Sequence, residues 1–295
     1  MEFRLLDSLD EARCRCACEV IARKIVGPRL SMGISPKKEF RSGHLTTEAD
    51  LEIEIEIRNY LRENFPECGF VGEELPPQKP DNTYVWVVDP IDGTEAFVAG
   101  VPLYGTLLTL IHQGRDGVRR PEFGAIYVPI GDHLIVGNRT VTTVNDEIVK
   151  FGHSDFGEAR IILGGLKEAA SNIPRKAWDA LLSLVASCES CQTWGDCLGF
   201  LSMIRGVASL RIEFGLGLED VAVLEPVVLG AGGFVSDARG QTLTSVMTSL
   251  VSLADKSADF TSVIASSEAL HVKAITVLGI RESEKENFSD GVKCG

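Results

Sequence analysis

The chain has 295 residues, 44% hydrophobic and 24% charged, a composition that excludes a disordered, collagenous or coiled-coil protein and predicts a globular one with two lobes. Asp and Glu number 42 against 29 Lys and Arg, and the net charge of −13 argues against a nucleic-acid clamp while leaving two alternatives: acids that repel phosphate, or acids gathered around cations that attract it. No run approaches the roughly 20 apolar residues that span a bilayer, the N-terminus shows no secretory signal, and the 8 cysteines then read as reduced thiols of a cytoplasmic protein.

Residues 5–26 carry apolar side chains at three- and four-residue steps, which predicts an amphipathic helix stopped by Gly27-Pro28. Cys14, Cys16 and Cys18 alternate within it, fan over different faces and cannot converge on one metal. A loop over 31–45 leads into Thr46-Thr47-Glu48-Ala49-Asp50, a helix start. Residues 51–57 fit both a two-residue alternation and a helical stripe, and the preceding cap favours helix. Residues 84–88 predict a buried strand that ends at Pro90, because proline cannot donate to a ladder. Strands follow over 103–111 and 122–128, with 132–136 as a hairpin partner, so residues 1–150 form an α+β lobe carrying the acidic motifs. In the second lobe, 151–280, the pattern alternates: strand 161–163, helix Arg175–Ser187, helix 198–207, strand 210–214, helix 220–229, a glycine break at 230–233 and a strand at Phe234-Val235. Residues 241–262 read as loop, and 281–295 as a polar tail.

Asp89-Pro90-Ile91-Asp92-Gly93-Thr94 places two acids three residues apart at the end of a buried strand. Gly93 permits a tight turn, and Thr94 reads as the N-cap of a short helix. Carboxylates beside a helix N-terminus make sense if a cation sits on the acids and an anion on the amides, which describes a metal-phosphate site. Taken alone, these residues are also what a turn and a cap require. Glu73 and Glu74 in a loop, and Asp50 at a helix start, add hard oxygen donors of the kind magnesium takes. Asp220 and Asp196 each open an apolar helix and can serve as cap, ligand or both. Cys188-x-x-Cys191 lacks a second pair, the 5 histidines are scattered, and there is no Walker lysine motif or nucleophilic serine elbow.

The segments T-T-E-A-D (46–50), G-E-E (72–74), W-V-V-D-P-I-D-G-T-E-A-F (86–97) and E-D-V-A-V-L-E-P-V-V-L-G-A-G-G (219–233) together resemble the inositol monophosphatase superfamily over roughly residues 5–280. F-V-A-G-V-P-L-Y-G-T-L-L (97–108) and G-D-C-L-G-F (195–200) look most like its histidinol-phosphate phosphatase branch. The resemblance implies a layered αβαβα sandwich of the α+β class, a homodimer, and two or three Mg2+ ions. It implies that Glu73, Asp89 and the Ile91 carbonyl hold one ion, that Asp89, Asp92 and Asp220 hold a second, and that Asp50 orients water on a third. Glu73 and Thr94 would activate water, the Gly93 and Thr94 amides would bind phosphate, and Asp196, with Asp220, would face the substrate. Leu229 and Gly230 stand where the histidinol and inositol branches, respectively, often carry a substrate-facing glutamate. The expected activity is magnesium-dependent hydrolysis of a small phosphorylated alcohol, histidinol phosphate first and inositol monophosphate as the alternative, with no nucleic-acid or membrane partner. A non-catalytic homologue that binds a phosphate ester is the competing reading; turnover in saturating magnesium separates the two.

Overall fold

The computed structural model describes residues 11–31, 38–41, 44–151, 156–250, 252–254 and 262–280. Expectations for 1–10, for most of 31–45 and for the tail 281–295 fall largely or wholly outside these residues. Helix α1 (Glu11–Val20) does not stop at Gly27-Pro28: it continues through a π-helical segment, Ile21–Val26, into α2 (Gly27–Ser31). The Gly27 N–H reaches the Ala22 carbonyl, five residues back, and this wider turn accommodates a proline that a regular helix interior would reject. Cys14 and Cys18 are buried and Cys16 is exposed, the fan expected of alternating positions.

A small hairpin, β1 (Lys38–Arg41) and β2 (His44–Thr47), occupies part of the predicted loop and feeds α3 (Glu48–Asn64). The ambiguous 51–57 segment is helix. Thr47 caps α3, and the Asp50 carboxylate reaches back to the Thr47 N–H at 2.7 Å to close a capping box.

The larger sheet orders its strands β3 (Gly69–Gly72), β4 (Tyr84–Asp92), β5 (Gly105–Gln113), β6 (Arg119–Val128), β7 (His133–Gly137), β8 (Thr142–Val144) and β9 (Glu147–Val149). Between β4 and β5 lies α4 (Thr94–Ala99). Only β3 and β4 pair in parallel; the rest is an antiparallel meander. The second sheet contains β10 (Arg160–Leu163), β11 (Ser190–Gln192), β12 (Leu210–Glu213), β13 (Phe234–Ser236) and β14 (Val263–Ser266), in the order β11-β10-β12-β14-β13. Its helices are α5 (Leu166–Asn172), α6 (Arg175–Ser187), α7 (Asp196–Ile204), α8 (Leu218–Ala222), α9 (Leu224–Gly230), α10 (Leu243–Thr248) and α11 (Glu268–Leu278). Helix α10 falls inside 241–262, where the sequence suggested only loop; its buried Leu243 and Met247 supply the apolar anchor.

Strand alternation sorts the side chains into layers. Trp86, Val88, Leu108, Leu110 and Phe123 face the α1 and α3 residues Cys14, Ile21, Ile53 and Ile57. Val85, Val87, Leu107 and Ile126 face the opposite way, into a core shared with α7, α8, α9 and α10. That core also holds Ile162, Val263 and Ala265 of the second sheet, whose outer face, through Ile161, Leu163, Leu210 and Ile212, packs on α6 and α11. The result is an αβαβα sandwich of the α+β class. No helix among the described residues is long and apolar enough to cross a membrane.

One buried group sets a pH limit on this architecture. His271 of α11 lies 2.8 Å from the Ser236 hydroxyl through Nε2, while its Nδ1 has no partner, and burial pushes its pKa down to about 4. With the folded pKa below the unfolded one, its contribution is complete above roughly pH 6.5 and is lost as pH falls toward 4. Between pH 7 and pH 5 this loss amounts to about 2 kcal/mol. Urea unfolding of His271→Leu should therefore lose less stability than wild type over that interval. Equal losses in the two proteins would remove His271 as the cause.

Candidate active site

Strand β4 does not end at Pro90 but runs to Asp92, with its register against β5 shifting between Asp89 and Asp92. Pro90 sits in that irregularity, where its missing N–H leaves no gap in the ladder, and its carbonyl accepts from Thr106 Oγ1 at 2.7 Å. The bulge turns Asp89 and Asp92 toward Asp220, so that carboxylate oxygens of all three lie within 4.8 Å of one another. Asp220 is not an N-cap. It lies in the first turn of α8, where its Oδ2 accepts from the Gly217 N–H at 2.8 Å.

Glu73 follows β3 and is within hydrogen-bonding reach of Asp89. Burial and then the charge of Asp220 push the Glu73 pKa up. Burial, followed by Glu73, Asp92 and Asp220, does the same to Asp89. Asp92 is raised by burial and by Asp196 and Asp220, against an opposing pull from Arg211, and its Oδ2 has no hydrogen-bond partner. Asp220 too is raised, chiefly by burial. Hard oxygens converging in a buried place, with one of them unpaired, form a donor set that fits divalent cations of the magnesium type.

Thr94 is the first residue of α4 rather than its cap; the cap position belongs to Gly93, at φ +86°. A Cβ there would lie 2.6 Å from the Leu103 carbonyl, so the turn admits only glycine without rearrangement. The Thr94 hydroxyl donates to the Ile91 carbonyl at 2.9 Å and stands 3.5 Å from Asp50 Oδ1. Asp50 is fully buried, with a pKa raised by burial against the opposing bonds from Thr47. Thus Asp50, Ile91 and Thr94 adjoin one another on one side of the acidic cluster.

Asp196 opens α7 with φ +53°, an uncommon conformation outside glycine, and its Oδ2 would be 3.2 Å from a Cβ on Gly93. It therefore adjoins the Gly93 turn. Arg211 of β12 donates from Nη1 to the Asp196 carbonyl at 2.8 Å and from Nε to Glu213 Oε2 at 2.7 Å, with Nη2 on the same carboxylate oxygen. Its guanidinium lies 3.6 Å over the Phe200 ring, and Gly199 leaves room for it, since a Cβ there would be 2.4 Å from Nη1.

Arg211 and Glu213 are the residues that sequence reasoning passed over. Their signal was present: in Leu210-Arg211-Ile212-Glu213 the charges alternate with apolar residues, placing both on one face of a strand. Gly230, one of the two positions where the resemblance implies a substrate-facing glutamate in related branches, packs on Val141 and Thr142, where a Cβ would meet the Thr142 hydroxyl at 2.5 Å. The acid near the site is Glu213, whose charge acts on Asp92, Asp196 and Asp220. Cys188 and Cys191 are half-buried free thiols away from this cluster, with Cys188 Sγ 3.0 Å from the Val185 carbonyl.

The model of the inositol monophosphatase family matches residues 8–275. The histidinol-phosphatase of Chlorobaculum parvum is 31% identical over 196 residues, covering 66% of this chain and 73% of that protein. Inositol monophosphatase 3 of Solanum lycopersicum is 32% identical over 209 residues, covering 66% of this chain and 74% of its own. The crystal structure of the extragenic suppressor protein suhB from Bartonella henselae superposes with a TM-score of 0.74 at 23% identity, covering 91% of this chain and 98% of that one, a likeness of fold. The chain belongs to the inositol monophosphatase family.

Proposed function

We propose that this chain is a magnesium-dependent phosphomonoesterase, with histidinol phosphate as its preferred substrate and an inositol monophosphate as the alternative. The observation that carries the reading is the convergence of Asp89, Asp92 and Asp220 beside Glu73, with Thr94 and Asp50 adjoining. Glu73, Asp89 and the Ile91 carbonyl would hold one Mg2+, Asp89, Asp92 and Asp220 a second, and Asp50 would serve a third. Magnesium held by these residues would supply charge neutralisation on the phosphoryl oxygens and the leaving oxygen, and would lower the pKa of water toward neutrality.

The protein groups do the positioning. The Gly93 and Thr94 amides hold the phosphate, and the turn at Gly93 lets the backbone approach it closely. The Thr94 hydroxyl is fixed by the Ile91 carbonyl and orients the attacking water, whose proton passes to the Glu73 carboxylate. No covalent intermediate is needed. Asp196 faces the alcohol part of the substrate, with Glu213 close behind it. These acids, only partly offset by Arg211, favour an alcohol that carries positive charge, as the amine of histidinol does. We further propose that residues 1–150 and 151–280 act as two lobes flanking the site and that the enzyme works as a homodimer in the cytoplasm.

The test is kcat/KM on histidinol phosphate, inositol 1-phosphate, adenosine 3′,5′-bisphosphate and fructose 1,6-bisphosphate. Histidinol phosphate should lead by roughly tenfold or more, the equivalent of about 1.4 kcal/mol in transition-state binding. A lead by any other substrate would overturn the branch assignment, and binding without turnover would overturn the enzyme.

A further inference from the structure

Glu54 follows Asp50 by one turn on the same face of α3, and both residues are fully buried. Asp50 stands beside Thr94, whereas Glu54 reaches the segment that carries Glu73. Glu73 extends the pairing of β3 with β4, its N–H donating to the Val88 carbonyl at 3.2 Å. The chain then leaves the sheet and returns at Gln78, which closes the loop through two backbone bonds with Phe70, of 2.7 and 2.8 Å. The amides just past Glu73 therefore need acceptors from another part of the chain.

Glu54 supplies them. Its Oε2 accepts from the Glu74 N–H at 2.7 Å and its Oε1 from the Leu75 N–H at 3.2 Å. Arg58, a further turn along α3, fixes that carboxylate with Nη2 at 3.0 Å while its Nη1 donates to the Pro76 carbonyl at 2.9 Å. Gly72 leaves the space for this arrangement, since a Cβ there would collide with both Glu54 oxygens. The Glu74 side chain is held in turn by Thr46 Oγ1 at 3.0 Å. Both Glu54 oxygens are engaged within the protein, so the residue acts through the Glu73 segment rather than on an ion or a substrate.

We propose that Glu54 is a positioning residue: by fixing the two amides that follow Glu73 it sets the Glu73 carboxylate beside Asp89 before any ion binds, and thereby sets the affinity for magnesium. The inference rests on Glu73 being a magnesium ligand. An outer residue that holds a ligand in place typically weakens metal binding by roughly 10- to 100-fold when it is replaced. Glu54→Gln keeps the shape but offers one acceptor oxygen in place of two, so an NH2 group meets one of the two amides and the Arg58 charge loses its partner.

Magnesium is titrated by calorimetry into the intact wild-type chain and Glu54→Gln without substrate, and amide exchange is followed by NMR in both proteins. The variant should bind magnesium roughly tenfold or more weakly. In the metal-free variant, exchange at Glu74 and Leu75 should accelerate by roughly tenfold or more beyond any change at Leu108 and Leu110 of β5, which report global opening. A purely structural role would speed all four amides alike and leave the magnesium affinity of the folded protein unchanged. Metal-free wild type should already protect Glu74 and Leu75 by roughly 100-fold or more, with most of that protection present before magnesium is added. This last measurement decides the matter even if the variant does not fold. The proposal fails if the variant binds magnesium within roughly threefold of wild type, if Glu74 and Leu75 exchange no faster than the β5 amides do, or if wild type protects them only once the ion is bound. Wild type that bound no magnesium would overturn the metal assignment of Glu73 and this inference with it; wild type that bound it as tightly as the variant would overturn the inference alone.

Discussion

Asp92→Asn is expected to lower magnesium-dependent phosphate release by roughly 100- to 1000-fold while leaving the protein folded. Asp92 is buried, its Oδ2 is unpaired, and it shares a pocket with Asp89 and Asp220, so the amide removes a donor charge at little steric cost. The metal-free variant should melt above metal-free wild type, because one of several mutually repelling buried carboxylates has been neutralised. Magnesium should then separate the two proteins in the opposite sense. At 100 times its Kd a ligand stabilises the native state by about 2.7 kcal/mol, a gain the variant largely forfeits. Thermal melts with EDTA and with excess magnesium, run beside the phosphate-release assay, give both readouts. A variant that kept its rate within tenfold of wild type would sink the metal assignment.

Arg211→Met should destabilise the fold by about 3–5 kcal/mol, because it strands the Glu213 carboxylate in a buried place and takes away the donor on the Asp196 carbonyl. Arg211 is 1% exposed and Glu213 5% exposed, so solvent screens the pair little. The double replacement Arg211→Met with Glu213→Leu removes both charges and should recover most of the loss, since apolar groups of similar volume can replace a buried ion pair at small cost. Urea unfolding of the two single variants and the double variant closes the cycle. If the double variant is as unstable as the sum of the singles, the pair is not the cause. Asp196 depends on the same guanidinium, so a weakened KM for substrate should accompany the single replacement.

Much of the layered fold is legible along the chain because its strands and helices bury regular stripes. Trp86 and Val88 against Val85 and Val87 is an alternation that sends successive residues to the two faces of one sheet. The helix Arg175–Ser187 and the start of α3 at Thr47 likewise follow from local spacing and a local cap. The errors cluster where a local rule met a tertiary exception. Gly27-Pro28 failed to end its helix because a π-helical turn absorbed the proline, and Pro90 failed to end β4 because it lies at a register shift. Thr94 looks like a cap, yet the Gly93 turn takes that place and frees the hydroxyl to bond Ile91.

The sequence by itself determined which acids are available and, through the spacing of Asp89 and Asp92 and the turn at Gly93, that a charged constellation stands at a strand end. Its acidic balance also argues against a nucleic-acid clamp. Only the tertiary structure decided which of the 42 acids meet. Asp220 joins Asp89 across 131 positions of chain, and Glu213, read as part of an ordinary strand, acts on the same cluster because β12 carries it there. The physical reason is range: capping and periodicity act over one or two turns, whereas the Coulomb energy and desolvation of a carboxylate depend on whatever the fold packs beside it.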